Sequence, residues 1–169
     1  MAKRITRCAL FSALLCLISP ICIPIGPVPV SLSLLAVMLM ALLLPLGEAL
    51  TCVGVYLALG SLGLPVFAGF GGGIGMLFGA TGGFIFSYLF VVLCIVALHK
   101  TGKYGSHMGC VLGLLVSYVC GLLWYCYVAA PVSFLTAVMV CVVPFIPFDI
   151  LKILLAVWLS NRMKARIKK

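Results

Sequence analysis

The sequence predicts an all-α fold: an integral membrane bundle of six transmembrane helices with both termini in the cytoplasm. Three observations carry this. Of the 169 residues, 66% are hydrophobic and 8% charged, with a mean hydropathy of +1.41, whereas a soluble domain has about a quarter of its residues charged. Six apolar runs can be drawn along the chain, and about 20 apolar residues suffice to cross a bilayer. Ten of the eleven basic residues fall in three clusters beside those runs, the pattern that marks a cytoplasmic face.

The runs lie at about 6–24, 30–46, 48–65, 82–99, 109–130 and 134–160, so that residues 1–169 form one membrane domain. Lys3, Arg4 and Arg7 precede the first run. No small-x-small cleavage site follows it, and Ile21 before Cys22 is too large for a lipoprotein site, so residues 1–24 are expected to stay in the mature chain. Ile23-Pro24-Ile25-Gly26-Pro27-Val28-Pro29 reads as stiff extended chain, because the prolines exclude helix. Runs two and three are divided by Pro45-Leu46-Gly47-Glu48, a tight hairpin whose Glu48 suits the positive N-terminal end of the next helix.

Between runs three and four the chain is rich in glycine, too apolar for a linker and too glycine-rich for a helix. Irregular backbone at membrane depth persists only on protein or along a cavity, so residues 66–81 are expected to cap a pocket on the outer side. A plain long outer turn is the alternative. Lys100 and Lys103 mark the loop at 100–108, and Arg162, Lys164, Arg166, Lys168 and Lys169 close the chain. Six spans place all three clusters on one face and leave the loops near 20–30, 66–81 and 131–133 without a charge.

Several function classes drop out. The net charge of +9 reads as topology signal and lipid-headgroup contact, since no aromatic-interleaved basic patch suggests nucleic acid. Neither a Walker loop nor G-x-G-x-x-G spacing occurs among the glycines, so ATP hydrolysis is excluded. The two acids, Glu48 and Asp149, stand far apart in sequence, which disfavours an enzyme. The nine cysteines contain no C-x-x-C pair, and His99 and His107 have no nearby carboxylate; no metal or cofactor is expected.

Asp149 and Lys152 are the one acid and one base inside an apolar run, and their i, i+3 spacing places both on one helix face. Counting inward from Arg162 at about 1.5 Å per residue puts Lys152 near the bilayer midplane. Charges at that depth point to a functional site, with a structural ion pair as the alternative. A carboxylate accepts N–H donors and an ammonium meets an acid, so the fitting ligand is small, with an apolar body, an N–H group and an acid end. Ser31, Ser33, Tyr56, Thr81 and Tyr88 are the other polar candidates. In the first run, Ala9 and Ala13 at i, i+4 allow close approach of another helix, of a partner or of this chain.

Gly26-Pro27-Val28-Pro29, Gly63-Leu64-Pro65-Val66-Phe67-Ala68-Gly69, Gly79-Ala80-Thr81-Gly82-Gly83 and Asp149-x-x-Lys152 resemble, in order, the landmarks of the BioY family, biotin-capture S components of energy-coupling-factor (ECF) transporters. The resemblance implies a multi-pass protein of the cytoplasmic membrane that binds biotin in an outward-facing pocket. It also implies a transmembrane T component and two ABC-type ATPases as partners, with Ala9 and Ala13 at the docking face. Asp149 and Lys152 would contact biotin under the glycine-rich cap, with Phe67, Tyr56, Thr81, Ser33 and Tyr88 beside them. The chain departs from the family pattern at Ser33 (usually Gln), Ala80 (Pro), Phe84 (Tyr) and Phe148 (Gly). A small ion-coupled carrier or channel, with Asp149 and Lys152 relaying protons, is the competing class, and a ligand-free scaffold a third.

Overall fold

The structure is a computed structural model that describes residues 2–24, 28–102, 104–129 and 133–167. Part of the first proline-rich landmark, Ile25 to Pro27, lies outside them, as do residues 130–132 and the clustered bases Lys103, Lys168 and Lys169. The described chain is mostly helical: α1 (Ala2–Ile18), α2 (Ser33–Leu43), α3 (Leu46–Ser61), α4 (Ile74–Phe78), α5 (Gly82–Leu98), α6 (Gly105–Trp124), α7 (Phe134–Cys141) and α8 (Ile146–Ile167). A π-helical turn, Tyr125–Ala129, continues α6. The described ends of the proline-rich stretch pair with each other. Strands β1 (Cys22–Ile23) and β2 (Val30–Ser31) are antiparallel, with Cys22 opposite Ser31 and Ile23 opposite Val30.

Helix α2 is the centre. It is apolar on nearly every side, with Ala36, Val37, Met38, Met40, Ala41 and Leu42 all buried, as a helix surrounded by others must be. α8 and α5 flank it, and α1 lies across α3. Pro45 breaks the chain between α2 and α3 as its ring predicts, and Glu48 enters the first turn of α3. There Glu48 is buried, and its Oε1 accepts from Arg7 Nη2 at 2.8 Å, with Arg4 Nε at 3.3 Å. Two bases of the N-terminal cluster thus also tie α1 to α3.

The closest pair is α5 with α6, held by a stripe of small residues at four-residue spacing: Gly105, Gly109, Gly113, Ser117 and Gly121. A Cβ on Gly109 would sit 3.0 Å from the Ile95 Cα, and one on Gly113 3.1 Å from Val91 Cγ1. Only small residues admit this approach of two backbones.

Two of the expected runs change. The run at 134–160 is not one helix: α7 and α8 meet at a bend of 51°, across residues 142–145. Pro144 sits in the break and Pro147 in the first turn of α8, where a missing N–H costs nothing. The first run also stops early, its helix ending at Ile18 before Pro20. Among the described residues, Gly105–Val128 is long and apolar enough to cross a membrane alone, and the bent α7–α8 pair qualifies jointly. α2, at 11 residues, extends about 16 Å. Outward faces stay apolar, as with Val111, Leu115 and Val119 on α6 and Ile150, Leu151 and Leu154 on α8, a surface suited to hydrocarbon.

The glycine-rich segment, expected to be too rich in glycine for a helix, carries the short helix α4 at Ile74–Phe78, whose residues other than Gly75 are apolar with full side chains, and packs on the bundle. Phe67 is fully buried in a slot opened by Gly60, where a Cβ would overlap its ring, and stands edge-on to Tyr56 with centroids 5.3 Å apart. The backbone is pinned at both sides: Gly69 N–H donates to the Pro20 carbonyl at 3.0 Å and Gly73 N–H to the Gly60 carbonyl at 2.7 Å. Gly69 and Gly73 have φ of 70° and 89°, which glycine adopts without a steric penalty. Farther on, Trp124 Nε1–H donates to the Gly79 carbonyl at 3.1 Å and fastens the segment to α6.

Candidate functional site

A cleft of about 590 Å³, counting its open mouth, lies where the β1–β2 hairpin, the glycine-rich segment and helices α2, α3, α5, α6 and α8 converge. Val28, Leu34, Phe84, Ile85 and Phe145 form apolar walls, while Ser31, Ser33, Tyr56, Thr81, Tyr88, Ser117, Tyr118, Asp149 and Lys152 bring polar atoms.

The bend before α8 explains where Asp149 stands. It lies in the first turn of α8, whose unpaired N–H groups favour a negative charge, and its own N–H donates to the Phe145 carbonyl at 2.8 Å. One turn on, Lys152 Nζ donates to Asp149 Oδ1 at 2.8 Å, with both side chains buried. Tyr118 reaches across from α6 and donates its hydroxyl to Asp149 Oδ2 at 2.6 Å. Among the described residues each carboxylate oxygen therefore has one side-chain donor and keeps a further lone pair.

A second polar group faces the same space. The hydroxyls of Ser31, Ser33 and Tyr88 form a hydrogen-bonded chain, Ser31 to Ser33 and Ser33 to Tyr88. Tyr56 OH and Ser19 Oγ share a hydrogen bond of 2.6 Å, and Ser87 and Ser117 share one of 2.8 Å.

Six of the seven residues expected to meet a ligand, Asp149, Lys152, Tyr56, Thr81, Ser33 and Tyr88, line this cleft. Phe67 does not. Its ring is wholly enclosed between Gly60 and Tyr56, so it anchors the loop, and its neighbour Ala68 reaches the cleft instead. Tyr118 was not among the expected residues. The available signal was a polar pair, Ser117-Tyr118, deep inside an apolar run. Of the departures from the family pattern, Ser33 and Phe84 line the cleft, Ala80 packs against the apolar cluster that includes Val28, Tyr125 and Phe145, and Phe148 is 36% exposed. Ala9 and Ala13 lie elsewhere, on an open groove between α1 and α3 that Ile5, Gly47, Thr51 and Val55 also line.

The BioY family sequence model matches residues 1–169. The chain belongs to the BioY family. It is 38% identical over 163 residues to the probable biotin transporter BioY of Pyrococcus horikoshii, covering 96% of this chain and 97% of that one. It is 32% identical over 164 residues to the biotin transporter BioY of Thermotoga maritima, covering 96% of each. Among solved structures, it superposes on the S component for biotin of an ECF-type ABC transporter with a TM-score of 0.87 and 27% identity, covering 97% of this chain and 92% of that one. The chain is accordingly a membrane transport protein and not an enzyme.

Proposed function

We infer that this BioY chain captures biotin for uptake across the cytoplasmic membrane, as the S component of an ECF-type transporter. The observation that carries this is the Asp149–Lys152 pair lining the cleft of a chain whose relatives are named biotin transporters. Biotin brings a ureido group with two N–H donors, an apolar ring and chain, and a carboxylate. Asp149 offers acceptor oxygens only, Lys152 an ammonium, and Leu34, Phe84, Ile85 and Phe145 an apolar wall. In this reading Asp149 accepts the ureido N–H groups through its open lone pairs. Lys152 holds Asp149 in place and meets the acid end, while Tyr56 and Thr81 border the ring.

The chain crosses the membrane six times with both ends in the cytoplasm, a topology supported by the clustering of its bases and by outer loops free of charge. It has no Walker loop, so energy comes from partners: a T component and two ABC-type ATPases, with the groove at Ala9 and Ala13 as the docking face. The ion-coupled carrier is not favoured, because relatives over nearly the whole chain are named for biotin.

Purified protein in detergent should retain labelled biotin, and Asp149→Asn should weaken retention at least tenfold. No retention by the wild-type protein would overturn the assignment. Unchanged affinity in Asp149→Asn would remove Asp149 from the site.

A further inference from the structure

Asp149 answers a ligand's N–H groups but offers nothing to a ligand oxygen. The Ser31, Ser33 and Tyr88 hydroxyls line the same cleft and are bonded to one another in a row. Three hydroxyls carry three protons, and a row of three uses two of them internally. One O–H is always left over. Such a row always keeps one O–H to give, beside the acceptor lone pairs that hydroxyl oxygens carry.

The direction of the row follows from acidity and exposure. Either hydroxyl of each pair can donate; a phenol is a stronger hydrogen-bond donor than an alcohol, which favours Tyr88 donating to Ser33 and Ser33 to Ser31, with the spare proton on Ser31. Ser33 and Tyr88 are 1% and 6% exposed, while Ser31 is only half-buried and therefore the member a ligand can reach. Aligned hydroxyl dipoles also polarise one another, which strengthens the last donor of the row. Ser31 is held in place by the pairing of β2 with β1 opposite Cys22, and Ser33 begins α2, so both ends of their contact rest on ordered backbone.

We propose that the Ser31–Ser33–Tyr88 row is a specificity device: Ser31 donates its spare O–H to the ureido oxygen of the substrate, while Asp149 takes the flanking N–H groups. This rests on the biotin reading above. The cleft then presents donor and acceptor on opposite sides of a ureido group and favours a ligand with an acceptor at that position over one with a donor there.

The test compares biotin with 2-iminobiotin near neutral pH, where the ligand is a protonated guanidinium and an NH2 group that can only donate replaces the ureido oxygen, by calorimetry on the purified full chain. Ser31→Ala should weaken biotin about tenfold and move 2-iminobiotin by less than about twofold, the effect of one lost hydrogen bond that only biotin accepts. Ser31→Thr, which keeps the hydroxyl, should retain most of the discrimination. Tyr88→Phe should lower it about threefold by removing the head of the row. An unchanged ratio of the two affinities in Ser31→Ala overturns the proposal, even where wild-type protein binds biotin well. Should Ser31→Ala not fold, Ser33→Ala interrupts the row and is read by the same ratio. Wild-type protein that binds neither ligand would instead overturn the biotin reading, and the proposal with it.

Discussion

Tyr118 and Asp149 are joined by a 2.6 Å hydrogen bond between helices α6 and α8, thirty-one residues apart in the chain. Asp149 is thereby held from two sides, by Tyr118 at one oxygen and by Lys152 at the other. Tyr118→Phe keeps the ring and removes the donor. Hydrogen bonds to charged groups contribute about 1.5–3 kcal/mol, so biotin affinity should fall by roughly tenfold or more. Calorimetric titration of the variant checks this, and an affinity within twofold of wild type would place Tyr118 outside the binding network.

The ion pair allows a prediction about stability. Lys152→Met leaves Asp149 buried and short of its partner, and breaking a buried pair costs about 3–5 kcal/mol. Adding Asp149→Asn removes the stranded charge, so the double variant should melt well above Lys152→Met alone. Neither should bind biotin. A double variant less stable than both single variants would contradict the pair's placement.

The glycine-rich segment is fastened by Trp124 and by the Phe67 plug. Trp124→Phe deletes the hydrogen bond to the Gly79 carbonyl while keeping an aromatic ring against Phe78 and Phe86. Loosening the segment should speed biotin release about fivefold, the effect of roughly 1 kcal/mol, with little change in the association rate. Stopped-flow binding separates the two rates. Faster hydrogen exchange over residues 68–81 should accompany the loss.

Gly60→Ala tests the plug directly, because a methyl group there overlaps the Phe67 ring. Overpacking of this kind costs about 1–3 kcal/mol, and the melting temperature should drop accordingly. Gly60→Ala with Phe67→Leu should recover part of that loss, since the smaller side chain vacates the slot.

Ala9 and Ala13 are exposed on the α1–α3 groove, away from the cleft that Asp149 lines. Replacing both with Leu should abolish co-purification with the T component and ATPases, since bulk on a small-residue face blocks close helix approach. Biotin binding by the isolated variant should be unchanged. Loss of both properties together would show that the groove is needed for the fold.

Residue chemistry alone pointed to the solvent, the helical class and the charged pair that lines the cleft. Water is excluded by composition, and Asp149 and Lys152 stand out because a charge inside an apolar run is costly wherever the chain folds. The i, i+3 spacing also fixed their contact, because one helical turn brings such residues together. Even the break between α2 and α3 was legible, since Pro45 acts through its own ring.

What only the tertiary structure decided concerns residues whose partners are distant in sequence. Tyr118 looks like any aromatic in a span until the glycine stripe of α6 locks that helix to α5 and brings the phenol to Asp149. Phe67 belongs to a landmark motif, yet its ring turns into the Gly60 slot and away from the cleft. Ser31, Ser33 and Tyr88 are scattered hydroxyls in the chain and one hydrogen-bonded row in the fold. Local rules reach about one helical turn, whereas a binding cleft is assembled from seven elements whose relative placement depends on packing, and packing is non-local.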